Sequence, residues 1–146
     1  MRPTSRNERA SIAPTPAVAA RVVAAACAVS AGAHAGLVPE HLREAPQLGV
    51  AFVLAAGLLL AAATALAIRP GSLGVARGTA LLLVGLLAFY AASRTTGIPL
   101  LERRAEPLDE VGVTAKAVEG LGLVFALGLS RLVGGHRPPL TQEVAR

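Results

Sequence analysis

The chain has 146 residues, a length that fits one domain. It is 53% hydrophobic and 16% charged, against roughly 25% charged in soluble domains, so a water-facing globule is excluded. Its net charge of +5 comes from scattered arginines rather than one basic face, which argues against nucleic acid as a partner.

In chain order, residues 1–16 form a polar tail with Pro3, Pro14 and Pro16. This tail cannot bury enough apolar surface to fold, so it is expected to be disordered. A membrane domain over 17–135 follows, with four expected spans: Ala17–Val38, Leu48–Ile68, Gly78–Ile98 and Val111–Gly134. Leu48–Ile68 contains no charged residue; as a helix it is roughly 31 Å long, close to the thickness of a bilayer's hydrocarbon core. Pro39 and Pro99 sit where the first and third spans are expected to stop, because proline interrupts the helical hydrogen-bond ladder. Pro70, Gly71 and Gly74 predict a tight turn between the second and third spans. Residues 136–146 form a second polar tail. The expected fold is therefore all-α, a four-transmembrane-helix bundle in the lipid bilayer.

Charge sets the expected orientation. The side carrying the two tails and the middle connection holds nine arginines, Arg2, Arg6, Arg9, Arg21, Arg69, Arg77, Arg131, Arg137 and Arg146, against two acids, Glu8 and Glu143. The other side holds four, Arg43, Arg94, Arg103 and Arg104, against six acids, Glu40, Glu44, Glu102, Glu106, Asp109 and Glu110. The positive-inside rule then places both termini in the cytoplasm. A competing reading takes the first span, with Ala33-His34-Ala35, as a signal peptide with an A-x-A cleavage site. Thirteen arginines against one lysine, with many alanines, suggest a GC-rich bacterial genome and hence a bacterial plasma membrane.

The halves can be aligned as two repeated helical hairpins. Gly36-Leu37 matches Gly97-Ile98, Pro46 matches Pro107, Gly49-Val50 matches Gly112-Val113 and Gly57-Leu58 matches Gly120-Leu121. Such a parallel repeat occurs among transporters; chance matching of common residues is the alternative. Small residues at Ala51, Ala55 and Gly57, and at Gly112, Gly120 and Gly128, are expected to let helices approach closely.

Few residues can carry chemistry. Ionisable groups within a span are costly and tend to face the bundle interior. Glu119 lies eight residues into the fourth span, about 12 Å deep at helical rise. Lys116, three residues earlier, falls on nearly the same face. One reading is a self-neutralising pair with Lys116 snorkelling outward. The other is a proton, ion or substrate site. Arg94, near the end of the third span, is expected to snorkel, to pair with Glu119 or another acid, or to bind an anion. His34 and His41 would stack on one face of an unbroken helix, and with Glu40 and Glu44 they form a compact imidazole and carboxylate set. That set could hold a divalent metal, or either histidine an axial haem, as an alternative to simple solvation. Cys27 reads as a small buried residue. Ser30 has no placed base, which argues against hydrolase chemistry.

The segment HAGLVPEHLREAPQLG over residues 34–49 resembles that of small four-helix integral membrane proteins, themselves uncharacterised, from GC-rich actinobacteria. The resemblance implies the fold and the membrane location and brings no activity with it. The leading expectation is a non-enzymatic membrane protein that binds a small ligand or metal or serves as an accessory subunit, alone, as a homo-oligomer or in a larger membrane complex. The alternatives are a small ion- or proton-coupled transporter using Glu119, and a haem-binding or redox membrane protein.

Overall fold

A computed structural model of the chain describes residues 15–98 and 110–135. Thr15 and Pro16, expected within the disordered N-terminal tail, instead cap and open the first helix; the rest of the two tails, Pro99 and the acidic stretch with Glu102, Glu106 and Asp109 lie outside the described residues. Four helices make up the fold: α1 (Pro16–Glu44), α2 (Pro46–Ile68), α3 (Leu73–Thr95) and α4 (Glu110–Gly135). Consecutive helices pack side by side, and α1 against α4 closes the ring. This is an up-and-down bundle. All four helices are long and apolar enough to cross a membrane.

Their outer surfaces agree with that. Leu54, Leu58, Leu60, Ile68, Leu81, Leu121 and Val124 all point outward and are more than half exposed. In water these side chains would form an apolar surface all round the bundle, whereas in hydrocarbon their exposure costs nothing. The interior is narrow and built from small residues: Ala20, Ala31, Ala76 and Ala126 are buried beside Leu59, Leu66, Leu83 and Leu129. Helices pack closely here because small side chains let their backbones approach.

Two seams organise the interior. On α1 the buried positions Ala20, Val23, Cys27, Ser30 and His34 alternate steps of three and four residues. On α4, Gly112, Ala115, Glu119, Gly122, Ala126 and Leu129 follow the same alternation. That spacing keeps one stripe of a helix turned to its neighbour. The expected stripe of Gly112, Gly120 and Gly128 is therefore corrected. Eight residues advance a helix by about 80° beyond two whole turns, so that spacing drifts off one face. A Cβ added at Gly120 or Gly128 would meet nothing within 4 Å, and the same holds at Gly57. On α4, Gly122 is closely packed instead: an added Cβ would lie 3.1 Å from Ala26 Cβ.

The helix ends also differ from expectation. Helix α1 does not stop at Pro39 but runs on to Glu44. Proline removes one ladder hydrogen bond, that to the Ala35 carbonyl, and a helix packed in a bundle tolerates this. The expected connection over 39–47 shrinks to Ala45 alone, followed by Pro46 in the first turn of α2, where its missing N–H is no loss. The corner is tight: a Cβ on Gly49 would fall 2.8 Å from Leu42 Cα. Helix α3 begins at Leu73 rather than Gly78, because Ser72 caps it by accepting from the Val75 N–H at 3.4 Å. Gly74 and Arg77 thus lie inside α3, and the turn is Arg69–Ser72, closed by a 3.0 Å bond from Ser72 N–H to the Arg69 carbonyl. Helix α3 ends at Thr95 rather than at 98, because Gly97 takes a φ of 69° just beyond the cap, a left-handed conformation suited to glycine.

The two hairpins are not equivalent. A single residue joins α1 to α2, whereas residues 96–109 separate α3 from α4. Helices α1 and α2 pack most extensively, and α2 and α3 least.

Candidate functional site

Glu119 lies at the centre of the α4 seam and is fully buried, with 0% exposure. Counted from Glu110, it is about 14 Å along the helix. Four contacts from three residues surround its carboxylate. Lys116, one turn earlier on α4, donates to Oε1 at 2.8 Å and to Oε2 at 2.7 Å. The Ser30 hydroxyl donates to Oε1 at 2.6 Å. His34 Nε2 lies 3.0 Å from Oε1.

Local helical geometry explains the convergence. Ser30 and His34 are four residues apart on α1, so both side chains leave the same face. Lys116 and Glu119 are three apart on α4 and meet for the same reason. The alternating seams then bring the α1 pair opposite the α4 pair. Lys116 keeps only 13% of its side chain exposed. The pair is thus turned into the bundle, and the ammonium balances the carboxylate where water is scarce.

A cleft of about 380 Å³ opens beside this network between α2 and α3. Its walls are apolar, with Leu54, Ala55 and Leu58 from α2 and Leu81, Leu86 and Phe89 from α3. Its end nearest the Ala45 corner is polar, lined by His34, Lys116, Tyr90, Ser93 and Arg94. The Arg94 guanidinium lies 4.8 Å from the Tyr90 ring centroid, and the Lys116 ammonium 5.6 Å from it. Both distances suit cation–π attraction. Phe52 of α2 packs against His34 and His41 with ring centroids 5.4 and 4.5 Å away. The two histidines do stack on one face, as an unbroken α1 requires. A second cavity, about 320 Å³, lies between α1 and α4 and is lined by Val29, Ser30, Glu110, Thr114 and Val118 among others. Ser30 therefore borders one cavity while His34 and Lys116 border the other.

The structure brings together three of the expected ligand or ion residues, Glu119, Lys116 and His34, and places Arg94 at the same cleft. It does not gather His34, Glu40, His41 and Glu44 into a metal site. Among the described residues, no three His, Cys, Asp or Glu side chains converge on one point. Glu40 and Glu44 are exposed, His41 Nδ1 is 2.8 Å from the Leu37 carbonyl, and His34 is turned to Glu119. Cys27 is buried on the α1 seam, as expected. Ser30, Tyr90 and Phe52 were not expected at a site. The available signal for Ser30 was its four-residue spacing from His34.

No protein-family model, curated protein or solved structure matches this chain.

Proposed function

We propose that the protein is a non-enzymatic, multi-pass protein of a bacterial plasma membrane, with both termini cytoplasmic, that binds a small membrane-soluble ligand in the cleft between α2 and α3. The observation that carries this reading is the cleft itself. Its volume of about 380 Å³ falls in the range of roughly 300–1,000 Å³ usual for small-molecule pockets. Apolar walls with a few polar groups at one end are the usual make-up of such pockets. The protein would work alone or as an accessory subunit of a larger membrane complex.

Gly85 lines the cleft, and a Cβ added there meets nothing within 4 Å. Gly85→Trp therefore fills the cleft without forcing the backbone apart. Protein purified in nanodiscs and extracted for mass spectrometry should carry a bound small molecule that Gly85→Trp lacks. Equal retention by the folded variant would overturn the reading.

A second reading, ion- or proton-coupled transport through Glu119, is favoured by one observation. The buried carboxylate is bonded to Ser30, which borders the smaller cavity, and to His34 and Lys116, which border the larger. A carboxylate linked through its partners to two cavities is suited to exchange between them. Flux in liposomes that Glu119→Gln abolishes would support transport, and flux unchanged in the variant removes Glu119 from it.

A further inference from the structure

Two buried polar atoms of residues lining the cleft have no hydrogen-bond partner among the described residues: Nδ1 of His34 and the hydroxyl of Tyr90. His34 is only 7% exposed. Buried polar atoms are nearly always paired, because an unmet one costs free energy. Their positions are fixed by neighbours. Glu119 and Phe52 hold the His34 ring, and Lys116 and Arg94 flank the Tyr90 ring.

The network dictates what each atom needs. Glu119 Oε1 accepts from Ser30 and Lys116; His34 Nε2 lies 3.0 Å from the same oxygen and 3.5 Å from Lys116 Nζ, and the shorter contact, to an oxygen that accepts, assigns it the donor role. A neutral imidazole with its proton on Nε2 presents a bare lone pair at Nδ1. In that tautomer Nδ1 calls for a hydrogen from the ligand. The Tyr90 hydroxyl both donates and accepts.

A carboxylate, carbonyl or ether offers only acceptors and would set a lone pair against Nδ1. An ammonium offers donors but adds a third cation beside Lys116 and Arg94. A hydroxyl donates to Nδ1 and still accepts from Tyr90. The remaining walls of the cleft are hydrocarbon.

We infer that the cleft takes a membrane-dissolved alcohol or phenol, its hydroxyl donating to His34 Nδ1 and accepting from Tyr90. This inference rests on the ligand-binding reading above and adds the chemical class of the ligand.

Tyr90 is the single tyrosine and the chain has no tryptophan, so intrinsic emission reports on the cleft alone. Protein reconstituted in lipid vesicles, which add no fluorescent protein, is titrated with dodecanol, dodecyl methyl ether and dodecanoate at equal mole fractions. Dodecanol should bind about tenfold more tightly than the ether, the effect of one hydrogen bond to a buried partner. Folded His34→Phe should bring that ratio to about one. Equal binding of alcohol and ether, tighter binding of dodecanoate, or a preference that survives in His34→Phe overturns the hydroxyl inference while leaving a ligand-binding cleft. No response to any of the three probes overturns both. Should His34→Phe fail to fold, the alcohol-to-ether ratio of the unaltered protein still decides.

Discussion

His34 Nε2 lies 3.0 Å from Glu119 Oε1, joining α1 to α4 across 85 residues of chain. The two residues occupy facing seams, and each seam is regular only because its helix is unbroken there. The contact therefore reports the register of the whole α1–α4 interface. Several substitutions test how that interface and the rest of the bundle are held.

Removing the Glu119 carboxylate leaves the Lys116 ammonium facing the bundle without its partner. Breaking a buried pair this way costs about 3 kcal/mol. Glu119→Ala should therefore lower the unfolding midpoint in detergent clearly, and Glu119→Leu with Lys116→Met should recover most of the loss. A double variant no more stable than the single one would show that the pair's charge is not the reason.

Ser30 contributes one hydroxyl to a carboxylate that Lys116 and His34 also serve. Ser30→Ala should cost about 1.5 kcal/mol, the low end for a bond to a charged group, because two other donors remain. A loss as large as that of Glu119→Ala would mean that Ser30 holds the network rather than completing it.

The glycines separate cleanly. Gly122→Val adds bulk where an added Cβ already comes within 3.1 Å of Ala26 and 3.5 Å of Leu83, and overpacking of this kind costs about 1–3 kcal/mol. Gly120→Ala and Gly128→Ala enter open space and should be neutral or stabilising by up to about 1 kcal/mol, since alanine is the better helix former. Gly49→Ala should be the most damaging of the alanine series, because part of its conflict is with the Leu42 backbone. Thermal unfolding of the four variants in one detergent ranks them, and a destabilised Gly128→Ala would contradict the packing.

Orientation is open to chemical labelling. Cys27 is the only cysteine, so Cys27→Ala gives a background free of thiols. In that background Arg43→Cys, near the Ala45 corner, should react with a membrane-impermeant maleimide added to intact cells. Gly71→Cys, at the α2–α3 turn, should react only after permeabilisation. The opposite pattern would invert the topology expected from the arginines.

The fold was largely legible because its signal is one-dimensional. Span length and the absence of charge over Leu48–Ile68 speak for a membrane helix without any partner. The Lys116–Glu119 pair was legible too, since three residues on a helix fix a contact locally. Ser30 was not. Its partner lies 89 residues away, and the register between two helices cannot be read from the period of either. Pro39 misled because its effect depends on what surrounds it: the chain keeps its helix and gives up one hydrogen bond. The His34, Glu40, His41 and Glu44 set looked compact in sequence, but His34 turns to Glu119 and His41 to the Leu37 carbonyl, while Glu40 and Glu44 stay exposed. The glycine stripe failed on angle, because a period of eight does not match the seam's alternation of three and four.

Ala45 is the whole of the linker between α1 and α2, and Gly49 presses against Leu42 just beyond it. The first two helices are thus coupled mechanically like the arms of a fixed bracket. The α2–α3 gap has the sparser packing, and its pivot is the Arg69–Ser72 turn at the far end. If α3 swings about that pivot, the displacement is largest near Thr95 and smallest near Leu73. His34 and Phe52 ride together on the bracket, whereas Tyr90 and Arg94 travel with the moving arm. The polar end of the cleft is therefore where a small angular change produces the widest change in aperture.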